Sequence, residues 1–286
     1  MGASMNERIE VKKTYKLYIN GAFPRSESGR TYELHSKDGT FIANPCLASR
    51  KDLRDAILAA RAAQSDWANA TAYNRGQILY RIAEMMEGRS DQFASEISLL
   101  DGISIKEAQK EVHSAIDRWV WYAGWSDKLG AIAGSTNPVS GPFYNFTIPE
   151  ALGVVGAIAT ESKSLLGLVD ILAPVIVSGN AVIALASTRA PLSAVTLAEV
   201  IATSDLPKGV CNILTGKKEE LAPWFASHMD IDGLDISGIE DPSLVAEIKI
   251  SGAQNLKRIH AFEGHPSPQR ILAFMESKTI WHPIGV

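Results

Sequence analysis

From Ala151 to Gly216 the chain alternates short, wholly apolar runs with longer amphipathic ones, and this rhythm limits the fold more than any other feature. Residues 154–159, 181–186 and 210–214 are rich in Val, Ile and Ala and lack polar alternation, as parallel strands do when helices cover both faces of their sheet. Between them, residues 165–177 space Leu165, Leu168, Leu172 and Val175 by three or four. Residues 191–203 put Val195, Leu197, Val200 and Ile201 on one stripe. Gly179 reads as the stop signal of the first helix, and Pro191 suits the first turn of the second. The pattern continues as helix over 218–228, strand over 233–236, helix over 242–251 and strand over 256–259. The expected fold class is α/β, doubly wound on a parallel sheet.

In order and spacing, Glu150-Ala-Leu-Gly-Val-Val-Gly-Ala-Ile, Leu172-Ala-Pro, Ser178-Gly-Asn, Pro191-Leu-Ser-Ala and Leu206-Pro-Lys-Gly-Val-Cys-Asn-Ile-Leu-Thr-Gly resemble the aldehyde dehydrogenase superfamily. Leu17-Tyr-Ile-Asn-Gly resembles its opening hairpin. Residues 52–67, with Ala-Ala-Arg-Ala-Ala at 59–63 and Trp67, resemble its first helix. The resemblance implies a Rossmann-like doubly wound sheet with N-terminal helices and a small β oligomerisation subdomain. On that plan residues 1–13 are a loose terminus and 14–262 a dinucleotide-binding type of domain, with an oligomerisation hairpin near 130–150. Residues 263–286 are a linker and a C-terminal oligomerisation strand.

The departures from the family pattern bear on function. Where the family has Pro-Trp-Asn-Phe-Pro after the first strand, this chain has Thr160-Glu161-Ser162-Lys163-Ser164, so Ser162 takes the place of the oxyanion-stabilising Asn. Where the family holds the adenosine ribose with Lys-Pro-Ser/Ala-Glu, Leu185-Ala186-Ser187-Thr188 supplies neither ammonium nor carboxylate. The family's Gly-Ser-Thr-x-x-Gly aligns with Gly238-Ile239-Glu240-Asp241-Pro242-Ser243, which sets two carboxylates and a proline where a pyrophosphate wants bare N–H donors. Glu240 and Asp241 then cap their own helix. The groove positions carried over by resemblance are Thr160, Glu161, Ser162, Leu185, Ser187, Gly216 and Gly238, read as vestigial, with NAD(P) binding weak at most.

The family's chemistry needs a Cys thiolate and an activating carboxylate in a second α/β domain, and the expectation is that this catalytic domain is absent. The two cysteines are Cys211, inside a predicted buried strand, and Cys46, before the first helix and expected to be the more exposed. Arg270-Ile-Leu-Ala-Phe-Met-Glu-Ser-Lys-Thr-Ile-Trp resembles the family's C-terminal segment, whose strand joins the hairpin to build the oligomer. The leading expectation is a non-catalytic subunit, a pseudoenzyme that self-associates or assembles with a full-length aldehyde dehydrogenase. A dinucleotide-binding sensor or an oxidoreductase component are the alternatives. Ser162-Lys163-Ser164 also offers the ingredients of a Ser–Lys hydrolase, set against a loop of helix-capping residues.

A net charge of −4 with no basic run argues against a nucleic-acid partner. No apolar stretch reaches the roughly 20 residues of a membrane span. Two unspaced cysteines and no leader-like start suggest a cytoplasmic protein. The six histidines form no close pair, so no metal site is expected. Residues 91–100, 105–113 and 115–129 are read as amphipathic helices, with Trp119, Trp121, Tyr122 and Trp125 as packing residues.

Overall fold

Successive residues of the central strands face opposite sides, and each side has its own core. Val154 and Ile158 of β5 (Val154–Ile158), with Ala181, Ile183 and Leu185 of β6 (Ala181–Leu185), belong to one apolar cluster. Val155, Ala157, Val182 and Ala184 belong to the other. In this computed structural model, which describes residues 11–285, β7 (Cys211–Leu214), β8 (Gly233–Asp235) and β9 (Arg258–His260) complete a parallel sheet in the order β7-β6-β5-β8-β9. Strand order reverses at β5, so the crevice between the C-terminal ends of β5 and β8 is the topological switch point.

One face is covered by α1 (Arg50–Asn69), α8 (Lys218–Ser227) and α9 (Pro242–Ala253), through Leu53, Ile57, Phe225 and Ile248. The other carries α2 (Ala72–Glu87), α3 (Ser90–Asp101), α4 (Ile105–Ala123), α6 (Ser164–Val177) and α7 (Leu192–Ile201). Ser49 and Asp52 form a capping box that starts α1, and Trp67 near its end donates from Nε1 to the Ile176 carbonyl at 2.9 Å. That bond ties α1 to the end of α6. The chain leaves α6 through Gly179 at φ +92, where an added Cβ would sit 3.2 Å from Ala68 Cα, so glycine suits the turn on both counts.

Two smaller sheets flank this domain. β1 (Leu34–His35) pairs with β2 (Phe41–Ala43). β4 (Phe143–Ala151) is the middle strand between β3 (Ser135–Asn137), which follows the short α5 (Leu129–Ala133), and β10 (Met275–Pro283), which follows α10 (Pro268–Leu272). β10 runs antiparallel along all of β4, from Met275 opposite Ala151 to Pro283 opposite Phe143. The expected partnership of the C-terminal strand with the segment before β5 is therefore present as a nine-residue ladder. At the other end of the chain, Asn20 and Gly21, both at positive φ, turn the opening hairpin, and Tyr18 bridges to Ile213 on the β7 edge.

Four details correct the sequence reading. The helices expected over 105–113 and 115–129 are one helix to Ala123, because Ser114 returns its hydroxyl to the Lys110 carbonyl instead of breaking the run. Helix α2 had no counterpart in the expectation, although Thr71 accepts from the Asn74 amide as its N-cap and Ile78, Leu79, Ile82 and Met86 form its buried stripe. The last parallel strand starts at Arg258 rather than 256, since Leu256 lies at φ +59 in an exposed turn. Cys46, expected to be the more exposed cysteine, is as buried as Cys211.

Trp119 and Tyr122 are fully buried and Trp121 packs against Tyr122 at 4.9 Å, in keeping with the packing role read for that cluster. Lys13 pairs with Glu199 at 2.7 Å, so the segment read as a loose terminus is held by its last residue; residues 1–10 lie outside the described part. Among the described residues no helix is long and apolar enough to cross a membrane.

Candidate functional site

The residues that follow β5, β6 and β7 meet around one side chain, Glu161. It follows β5, and its carboxylate accepts from the Ser187 hydroxyl at 2.6 Å, the Thr188 amide at 3.2 Å and the Arg189 amide at 3.1 Å, all just beyond β6. Lys218, the first residue of α8, completes the set with Nζ 2.6 Å from Glu161 Oε1. Burial alone would raise the Glu161 pKa, but the hydrogen bonds from Lys218 and Ser187 outweigh it and hold the carboxyl below the usual range. Glu161 is therefore an ionised carboxylate seated in an anion hole made by the chain itself.

The same lysine reaches the third loop. Lys218 Nζ donates to the Gly238 carbonyl at 2.9 Å, and the Gly238 amide donates to the Ile158 carbonyl at 3.0 Å. A Cβ at Gly238 would clash with the Ala159 carbonyl oxygen, so the loop at Gly238 rests directly on the end of β5. Beyond it, Asp241 caps α9 by accepting from the Ser243 amide at 2.9 Å, as read from the sequence, and Pro242 brings no N–H to that helix start.

The structure thus brings four of the seven groove residues into one network: Glu161 and Ser187 directly, Gly238 through Lys218, and Gly216 through its carbonyl, which accepts from the Thr188 hydroxyl at 2.8 Å. Leu185 is fully buried, and its carbonyl accepts from the Ala159 amide at 2.9 Å. Thr160 bonds the Ser162 carbonyl at 2.7 Å, while Ser162 stands exposed in the loop. Among the described residues no hydrogen bond joins Lys163 to Ser162 or Ser164, the contact a Ser–Lys hydrolase would need; Ser164 faces Ser193 instead, at 3.5 Å.

Sequence reasoning missed Lys218 and Arg189. Lys218 carried a signal, because a cation in the first turn of a helix opposes the helix dipole and calls for a compensating partner. Arg189 donates to the Glu161 carbonyl at 3.0 Å and pairs with Asp101 of α3 at 2.8 Å. Chemically the arrangement offers a satisfied ion pair and backbone in close contact, with the donors that could grip an anion already engaged.

A family model described as "Aldehyde dehydrogenase family" matches residues 23–277. Retinal dehydrogenase 2 of Homo sapiens is 32% identical over 275 residues, an alignment covering 94% of this chain and 52% of that protein. The mitochondrial benzaldehyde dehydrogenase of Antirrhinum majus is 31% identical over 257 residues, covering 88% and 47%. Among solved structures, the NAD+ complex of the Bacillus cereus aldehyde dehydrogenase superposes with a TM-score of 0.82 at 26% identity, covering 86% of this chain and 50% of that one. The chain spans about half the length of the curated relatives it matches.

Proposed function

This chain belongs to the aldehyde dehydrogenase family, and from that premise we propose that it is a non-catalytic subunit that assembles with itself or with a full-length member. The observation that carries the reading is the seat of Glu161. A carboxylate held by Ser187, Thr188, Arg189 and Lys218 stands at the strand ends where a doubly wound fold receives its ligand. A dinucleotide would have to displace that ion pair. NAD(P) binding is accordingly weak at most in this proposal.

The cysteines give the same indication. Cys46 and Cys211 are both buried, and burial pushes the Cys211 thiol well above its ordinary pKa, the reverse of what a nucleophilic thiolate requires. Two free, buried thiols also suit the reducing cytoplasm in which the proposal places the protein.

Assembly is supported by the β3-β4-β10 sheet. Phe143, Tyr144, Ile148 and Trp281 are large, exposed and carried on its strands, and β10 is an edge strand along its whole length. Exposed edges and apolar patches of this kind are ordinarily covered by a partner.

Light scattering after size exclusion, on the protein alone and mixed with a full-length aldehyde dehydrogenase from the same cell, tests the reading. A discrete oligomer of either composition is expected. A monomer indifferent to the enzyme overturns the assembly role. Micromolar NAD(P) binding, about −8 kcal/mol, would favour the dinucleotide sensor instead.

A further inference from the structure

Ahead of α1 the chain folds around a cavity of about 440 Å3 whose charged lining is Lys12, Lys13, Arg25 and Arg30, with no carboxylate among them. In a chain of net charge −4 that is a marked concentration of one sign. The turn from Ser26 to Gly29, closed by the Gly29 amide on the Ser26 carbonyl at 2.9 Å, places the two arginines at its flanks. The buried Asp52 of α1 fixes that turn, accepting from the Ser26 hydroxyl at 2.7 Å and the Glu27 amide at 3.1 Å. The one carboxylate of the turn, Glu27, is drawn off to the start of α1, where it accepts from the Ser49 hydroxyl at 3.1 Å and from Lys51 at 3.3 Å.

The lysines come from the segment that enters the fold. Lys13 is held on α7 by Glu199 at 2.7 Å and Thr196 at 3.3 Å, and Lys12 lies 5.0 Å above the Phe41 ring of β2. Arg30 meets Glu220 at 3.0 Å in a pair whose side chains are 50% and 38% exposed, an interaction worth little in water and open to exchange for a better acceptor. Arg25 is exposed and makes no ion pair among the described residues. Thr31 and Asn44 add a hydroxyl and an amide to the lining. The cavity therefore presents positive charge and hydrogen-bond donors from several short segments, and no carboxylate that would hold a cation.

We propose that this cavity binds a soluble compound carrying two linked phosphoryl groups, one on Arg25 and Arg30 and the other against Lys12 and Lys13. A phosphoryl group presents three acceptor oxygens and carries about −1.5 to −2 charge at neutral pH, so it can fill a guanidinium fork and still face a second cation. A carboxylate, with one charge and two coplanar oxygens, satisfies only one of them. A single phosphoryl group leaves the cations of the other segment unmatched. The cavity takes no residue from the Glu161 network and does not depend on the assembly role.

Calorimetry and phosphorus NMR on the full chain test it, with inorganic pyrophosphate, inorganic phosphate and citrate as probes. Saturable binding of pyrophosphate is expected, at least about tenfold tighter than phosphate or citrate and weakening as salt is raised. Arg25→Gln should weaken pyrophosphate by about tenfold, with the melting temperature unchanged because the side chain loses no ion pair in the free protein. Lys249→Gln removes an exposed charge on α9 and should leave the affinity within about twofold, which separates a built site from diffuse attraction. Vesicles carrying a phosphoinositide bisphosphate separate a lipid headgroup from a soluble ligand. The proposal is overturned by no saturable binding of pyrophosphate, by equal affinity for phosphate or citrate, or by an Arg25→Gln effect no larger than that of Lys249→Gln. Binding to those vesicles without binding of pyrophosphate overturns it as well.

Discussion

Replacing Glu161 with alanine removes the one acceptor on which Ser187, Thr188, Arg189 and Lys218 converge. The dominant loss is the partner of Lys218, whose side chain is 8% exposed. Breaking a fully buried ion pair costs about 3–5 kcal/mol. Here the Glu161 side chain is 33% exposed and the lysine keeps the Gly238 carbonyl, so water and one remaining bond soften the loss. About 2 kcal/mol is expected, or a fall in melting temperature of roughly 4–8 °C. Urea titration and thermal melting at neutral pH measure it.

The acid limb supplies a second readout. The folded pKa of Glu161 is depressed, so its contribution is fully present above the unfolded glutamate value of about 4.3 and is lost as pH falls through the folded value. Wild type should lose this increment of stability in that acid window, and Glu161→Ala should lack that part of the slope. A variant within about 0.5 kcal/mol of wild type, or one with an unchanged acid limb, would refute the ion-pair argument.

Gly238→Ala would drive a Cβ to 2.0 Å from the Ala159 carbonyl oxygen, a backbone atom that cannot step aside; a loss of at least about 2 kcal/mol is expected by denaturant titration. Gly264→Ala, with nothing within 4 Å, serves as its control and should stay within about 0.5 kcal/mol. Because Cys46 and Cys211 are both buried, a thiol reagent should modify neither in the native protein and both in denaturant; rapid native modification would contradict the packing around them.

The central sheet was legible because parallel strands covered on both faces must be apolar throughout, and helices between them must show a stripe; residues 154–186 satisfy both without long-range information. Helix α2 was legible on the same terms, with a local cap at Thr71 and a stripe of Ile78, Leu79, Ile82 and Met86, though the sequence reading did not include it. The end of the β4 ladder at Met275 is of another kind. That strand pairs across more than a hundred residues, and its position was anticipated only through resemblance.

What the sequence determined by itself is whatever depends on neighbours along the chain: the succession of apolar strands and striped helices, the Asp241 cap and the turn at Gly179. It also marked the altered loops, where Glu161 and the residues that follow Gly238, Ile239 to Pro242, depart from the family's pattern. Only the tertiary structure decided what those loops do. Whether Glu161 faces solvent or Lys218 depends on which strand ends the fold brings together, and residues 161, 187, 218 and 238 meet only after three crossovers have closed.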